Sequence, residues 1–192
     1  VNIETTGEEA IRKALFNSVS LLTGTGYASA DYMQWGGFPV AVLFFTGLIG
    51  GCAGSTACSI KVFRYQLLFA SVKAQLRKTR SPHGIFTPRY AGRPVGEDVL
   101  NSVMSFFMFF VVTLGVLAVA LAMTGLDFVT ALSGAATALA NIGPGFGDQI
   151  GPSGNFEGLN DTAKWLLAAA MLIGRLELMA VYVIFTIQFW RA

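Results

Sequence analysis

The chain has 192 residues, 54% of them hydrophobic and only 12% charged, with a formal net charge of +2 and a mean hydropathy of +0.60. Soluble domains carry about 25% charged residues, so an ordinary water-soluble fold is excluded and the chain reads as an all-α integral membrane protein. Two cysteines, Cys52 and Cys58, are too few for a disulfide framework and match no common zinc spacing. They are expected as small buried hydrophobes, and the single histidine, His83, is not expected to hold a metal.

The first residues, VNIETTGEEAIRK, carry charges where a signal peptide has a basic start and an apolar run. The chain therefore reads as a fragment or a processed piece. Thr6 followed by Glu9 forms a capping box, and the apolar residues after it recur at helical spacing. This predicts a half-helix over residues 8–22. Next comes LLTGTGYASAD, two glycines among hydroxyl side chains ending at an aspartate, which predicts a non-helical loop over 23–31.

Residues 38–78 form an apolar, then basic, run interrupted by GLIGGCAGSTACS at 47–59. Glycines cost a helix up to about 1 kcal/mol each relative to alanine, so the run reads as two helical pieces around a break. Gly47 and Gly51, and Gly50 and Gly54, also fit small-xxx-small spacing, which leaves close helix packing as a second reading of the same glycines. A loop is expected over 79–96.

A plain membrane-spanning helix is predicted over 98–124, where residues 100–123 carry no charge over the roughly 20 residues that cross a bilayer core. A second half-helix follows at 127–140, then the turn ANIGPGFGD, with a loop at 141–148. One long inner helix is expected over 161–191. Arg175 and Glu177 interrupt it near its middle, where a charge costs roughly 2.5 to 3.5 kcal/mol on insertion scales and so usually faces protein or water.

The two halves resemble each other. Sliding the chain by 117 positions pairs Ala14 with Ala131, Leu15 with Leu132, Leu22 with Leu139, Gly26 with Gly143, Asp31 with Asp148 and Gly37 with Gly154. The order of elements repeats too, from half-helix through glycine-bearing turn to long apolar helix. Both copies run in the same direction, whereas broken-helix secondary transporters are commonly built on inverted repeats.

Charge suggests the orientation. Between Lys61 and Gly96 lie eight basic residues and no Asp or Glu, so the positive-inside rule puts the 61–96 segment in the cytoplasm. A nucleic-acid patch is not supported, because RSPHGIFTPRYAGRP lacks interleaved aromatic and basic residues on one face. With that loop inside, both half-helices start and return on the outer side. Off-helix backbone is tolerated in a bilayer only where it is buried in protein or lines a water-filled cavity. Two such turns at the carboxyl ends of half-helices present carbonyls and the negative ends of helix dipoles, which suits a cation.

LLTGTGYASADY, the broken helix GGCAGSTACSIKVFRY, ALANIGPGFGD and MLIGRLE together resemble the carboxyl-terminal half of a TrkH-type subunit of the Trk/Ktr/HKT superfamily of potassium transporters. The resemblance covers essentially the whole chain. It implies tandem parallel repeats of helix, re-entrant pore half-helix with filter loop, and helix around a pseudo-fourfold pore, of which two of four are present. Residues 1–96 would be the third repeat, its first helix lying before Val1, and 97–192 the fourth.

The resemblance further implies that Thr23, Gly24, Thr25 and Gly26, with Asn141, Ile142 and Gly143, line a filter for K+ as the transported ion. Neither turn repeats the TVGYG of simple potassium channels, so one dominant ion site is expected rather than a long stack. The break, with Gly50, Gly51, Gly54, Ser55 and Thr56, would be an intramembrane gating loop. By the 117-residue interval Arg175 should lie at the depth of Cys58 and face that loop, repelling cations and binding exposed carbonyls. The family implies a bacterial inner-membrane, multi-pass protein in contact with lipid. It also implies a homodimer and a cytosolic nucleotide-binding regulatory subunit, TrkA-like. No nucleotide-binding glycine loop lies in this chain. Two readings compete: a secondary transporter with a broken-helix site for a small organic solute, and a membrane enzyme, for which no catalytic cluster appears inside the spans.

Overall fold

The computed structural model describes residues 7–55, 57–81, 83–176, 178–184 and 186–191. Thr6 of the capping box, Thr56 of the break and the mid-helix Glu177 lie outside the described residues. Helix α1 (Gly7–Thr23) leads through a 3-10 turn at Tyr32–Trp35 to α2 (Gly37–Ile49) and, after the glycine-rich break, to α3 (Val62–Arg80). A two-residue hairpin, β1 (Arg89–Tyr90) and β2 (Arg93–Pro94), precedes α4 (Glu97–Met123) and α5 (Phe128–Ala140). The chain ends in α6 (Asp161–Arg175), α7 (Leu178–Ile184) and α8 (Ile187–Arg191). The single inner helix expected over 161–191 is therefore three shorter helices, and its first piece stops at Arg175.

Helix α4 has 27 residues and at 1.5 Å per residue reaches about 40 Å, enough to cross a bilayer. It is the one helix among the described residues that is long and apolar enough to do so alone. Its outer face, including Met108, Val112, Val116 and Val119, is exposed, as lipid contact requires. Helix α5 has 13 residues, about 20 Å, and cannot span. Asp127 caps it by accepting from the N–H groups of Val129 and Thr130.

Nearly every residue of α5 from Thr130 to Ala140 is buried, because its alanines and glycine let α4 and α6 close over it. Phe106, Phe110, Leu121, Leu139, Leu167 and Leu178 build the core around it. Asn160 ties the start of α6 to the end of α4: it caps α6 through the Ala163 N–H and donates to the Thr124 carbonyl at 2.9 Å. Helix α1 differs, with only Asn17, Ser20 and Leu21 buried and an exposed apolar face of Ile11, Leu15, Phe16 and Val19.

A second core joins the halves. Phe146, from the turn after α5, packs 5.6 Å from Tyr32 and 5.7 Å from Phe44, ring centre to ring centre, beside Leu21, Leu43 and Ile142. Aromatic pairs at such distances are favourable beyond their buried area by about 0.5 to 1.5 kcal/mol. This cluster sets the two turns side by side.

Candidate ion pathway

Both half-helices end in the same way. The N–H of Gly24 donates to the Leu21 carbonyl at 3.3 Å and that of Thr25 to Ser20 at 2.9 Å. In α5 the N–H of Asn141 donates to Ala138 at 3.2 Å and that of Ile142 to Thr137 at 3.0 Å. Each partner lies 117 positions from its counterpart. The pattern is the Schellman motif, which needs a left-handed residue just past the helix and takes glycine or asparagine there. Gly24 has φ +72° and Asn141 φ +52°, so two different residues solve one geometric problem.

Two residues on, Gly26 (φ +79°) and Gly143 (φ +117°) are again positive, with no positive φ at Thr25 or Ile142. The turns touch: a Cβ on Gly26 would collide with the Ile142 carbonyl oxygen and lie 3.1 Å from Pro144 Cδ. The two turns expected to form the filter are therefore in contact, Gly24 beside Asn141 and Gly26 beside Ile142 and Gly143. Thr23 and Thr25 share a 2.8 Å hydroxyl contact, and the Thr23 hydroxyl also donates to the Val19 carbonyl at 2.8 Å.

Braces that the sequence reading missed hold these turns. Ser133, fully inside α5, donates to the Phe146 carbonyl at 2.8 Å and accepts the Phe146 N–H at 3.0 Å. Ser20 does the corresponding work in α1, donating to the Tyr27 carbonyl at 2.6 Å. Buried Asn17 bonds both the hydroxyl and the N–H of Ser29, each at 3.1 Å. The available signal was polar residues on the face of each half-helix that the following loop must cover. Asn141 adds a tie downward, its amide donating to the Met171 carbonyl of α6 at 3.0 Å, where Gly174 packs against the Leu139 carbonyl.

The break lies one helix length away along α2. Its returning strand caps α2: the N–H groups of Ile60 and Lys61 donate to Leu48 and Ile49, and the Ser59 hydroxyl to Gly47 at 2.9 Å. Gly50 packs directly on Ser59. Gly51 lies against the Ser55 hydroxyl, which itself donates to Cys52 O at 2.8 Å, while Gly54 has open space around it. Gly47 does serve close packing, its missing side chain making room for Ile142. Gly50, Gly51 and Gly54 lie outside any helix, so small-xxx-small packing along a helix does not describe them. Cys52 is exposed and Cys58 half-buried; neither is the fully buried hydrophobe expected, because the break is loop.

A cavity of about 240 Å³ opens beside the break, lined by Ser55, Cys58, Ser59, Lys61, Arg64 and Arg175, among others. Arg175 donates through Nη1 to Cys58 Sγ at 3.4 Å. Arg64 stacks over the Phe106 ring at 3.8 Å and donates to the Ile60 carbonyl. Among the described residues no group of three or more His, Cys, Asp or Glu could hold a metal ion.

A protein-family model described as "TrkH: Cation transport protein" matches residues 4–191. The chain belongs to this family. It is 47% identical over 182 residues, 95% of its length, to the Trk system potassium uptake protein TrkI of Halomonas elongata, covering 37% of that protein. It is 34% identical to the TrkH of Escherichia coli K12, with 99% of this chain and 39% of that protein covered. The crystal structure of the potassium transporter TrkH from Vibrio parahaemolyticus superposes with a TM-score of 0.89 at 34% identity, over 97% of this chain and 39% of that one. The chain thus spans about two fifths of the length of these relatives. The fold is that of a helical TrkH-family membrane transporter, and the family is one of transport proteins rather than enzymes.

Proposed function

We propose that this chain supplies two adjacent quarters of a potassium-selective pore, the third and fourth of four parallel repeats, in a protein that takes up K+ across the bacterial inner membrane. The observation that carries the reading is the shared register of the two turns, with the same capping hydrogen bonds and the same alternation of φ sign, 117 residues apart and in contact. Alternating hand turns successive peptide groups the same way, with N–H groups to one side and carbonyls to the other. Carbonyls of Thr23–Gly26 and 141–143 then replace a cation's hydration shell, as potassium filters do. The names of the relatives, potassium uptake proteins of the Trk system, support the same ion.

The 61–96 segment lies on the cytoplasmic side in this reading. Below the filter, the 50–58 loop closes the cavity and Arg175 holds it, its charge raising the barrier to any cation there. The assembled protein is a homodimer that docks a cytosolic nucleotide-binding subunit, which moves the loop. Rubidium and sodium uptake by the full-length parent protein in proteoliposomes tests this. Gly26→Ser should abolish rubidium flux and Arg175→Ala should raise it, both variants remaining folded by size-exclusion profile. If neither ion moves, or neither change alters flux, uptake of small organic solutes becomes the assay and the broken-helix transporter the reading.

A further inference from the structure

From the groove beside the end of α3, we infer a binding site for the phosphate headgroup of an anionic phospholipid. The groove measures about 490 Å³ and runs between α3 and the extended stretch before β1, with Lys73 and Arg77 on one wall, Arg89 on the other, and Ala70, Ala74 and Phe86 among its apolar lining. Among the described residues none of these three cations lies within ion-pair distance of a carboxylate; the salt bridges there all sit in α1 or α6. Three unneutralised cations converging on one groove attract an anion, and arginine's planar fork matches phosphate.

The surroundings select an amphiphile. Phe69, Val72 and Leu76 form an exposed apolar face along α3 at helical spacing, and Ile85 on the groove's rim is 95% exposed. A free phosphate uses only the cations. A phospholipid places its headgroup on Lys73, Arg77 and Arg89 and its acyl chains along the apolar face, as expected for basic segments next to a membrane. The site differs from the proposed filter and gate, and depends on the proposed orientation only for which leaflet it meets.

The test uses the full-length parent protein in nanodiscs of phosphatidylcholine with phosphatidylglycerol or cardiolipin, with retained lipid counted by native mass spectrometry. Wild type should retain anionic lipid over phosphatidylcholine, and Lys73→Gln/Arg77→Gln/Arg89→Gln should lower that preference about a hundredfold, since each juxtamembrane cation contributes about fivefold. The charge-matched control Lys78→Gln/Arg80→Gln/Arg93→Gln, outside the groove, should keep it. Equal loss in both triple variants means diffuse surface charge and overturns the site, as does unchanged retention in the groove variant. If inorganic pyrophosphate at low millimolar concentration displaces the lipid completely, the groove is a soluble-phosphate site and the lipid assignment falls. Labelling of a cysteine placed at Ser81 with membrane-impermeant maleimide, read against a protein lacking Cys52 and Cys58, reports the orientation separately.

Discussion

Arg175 and Cys58 stand 117 residues apart in the chain and 3.4 Å apart in space, and 117 is also the interval between Gly26 and Gly143. In the proposed pore, positions that correspond in the repeat occupy equivalent places around a shared axis, and side chains reaching that axis from neighbouring repeats meet. The arginine therefore reaches across the cavity to the loop of the preceding unit. The same relationship makes it a test of the proposed gate.

Removing the guanidinium should release the loop and lower the barrier together. A unit charge about 8 Å from a cation costs it about 2 kcal/mol at an effective dielectric of about 20, roughly thirtyfold in occupancy. Arg175→Ala should raise rubidium uptake by up to about thirtyfold, with Arg175→Lys intermediate because it keeps the charge and loses the fork. Flux measurements on the two variants side by side separate repulsion from hydrogen bonding. Equal flux in both would assign the whole effect to the bond.

Gly24 and Gly26 should respond differently to one substitution. Gly24 has only a 3.9 Å contact where a Cβ would stand, and its counterpart is Asn141 in the same left-handed conformation. Gly24→Asn is expected to fold and conduct, at a cost below about 1 kcal/mol. Gly26→Asn meets the Ile142 carbonyl and should abolish rubidium uptake. Uptake and melting temperature of both variants decide the matter, and a dead Gly24→Asn would show that position 24 needs more than its backbone angle.

Ser133 satisfies two backbone groups of Phe146 that are otherwise buried. Ser133→Ala leaves an N–H and a carbonyl without partners, at about 1 to 3 kcal/mol each. The full-length protein should lose about 2 kcal/mol or more in thermal unfolding and several degrees in Tm. Ser20→Ala removes one bond to the carbonyl of exposed Tyr27 and should cost about 1 kcal/mol or less.

The Asn141 amide joins the proposed filter backbone to α6 at Met171, one turn before Arg175. Asn141→Gly keeps the left-handed conformation and deletes the tie. Rubidium-over-sodium preference should fall while the protein stays folded, and the increase in flux caused by Arg175→Ala should shrink in the double variant. Additive effects in a double-mutant cycle would show that filter and gate do not communicate through this bond.

The spans and half-helices were legible because their signals are local: an uncharged run at 100–123, an aspartate before α5, and glycines that break α2. The turn register was legible through six identities at one interval. What the sequence did not reveal depends on which partner a polar group finds. Ser20, Ser133 and Asn17 are ordinary small polar residues until the loop folds over them. Asn141 does not look like Gly24 by side chain, and only the shared left-handed φ unites them. The stop of α6 at Arg175 has no proline or glycine after it to announce it, since Leu176 follows. The hairpin before α4 also escaped notice, although Ala91 and Gly92, both of positive φ, form the kind of two-residue turn that hairpins favour.

The contact between Gly50 and Ser59 closes the break into a ring of backbone whose two ends already touch. The neck is held by the hydrogen bonds from Ser59, Ile60 and Lys61 to the last carbonyls of α2, which fix the distance between the end of α2 and the start of α3. In the proposed gate, the loop's position and the scaffold's stability then rest on different contacts. Substitutions between 51 and 58 are expected to change how often that proposed gate opens the pore more than they change the melting temperature.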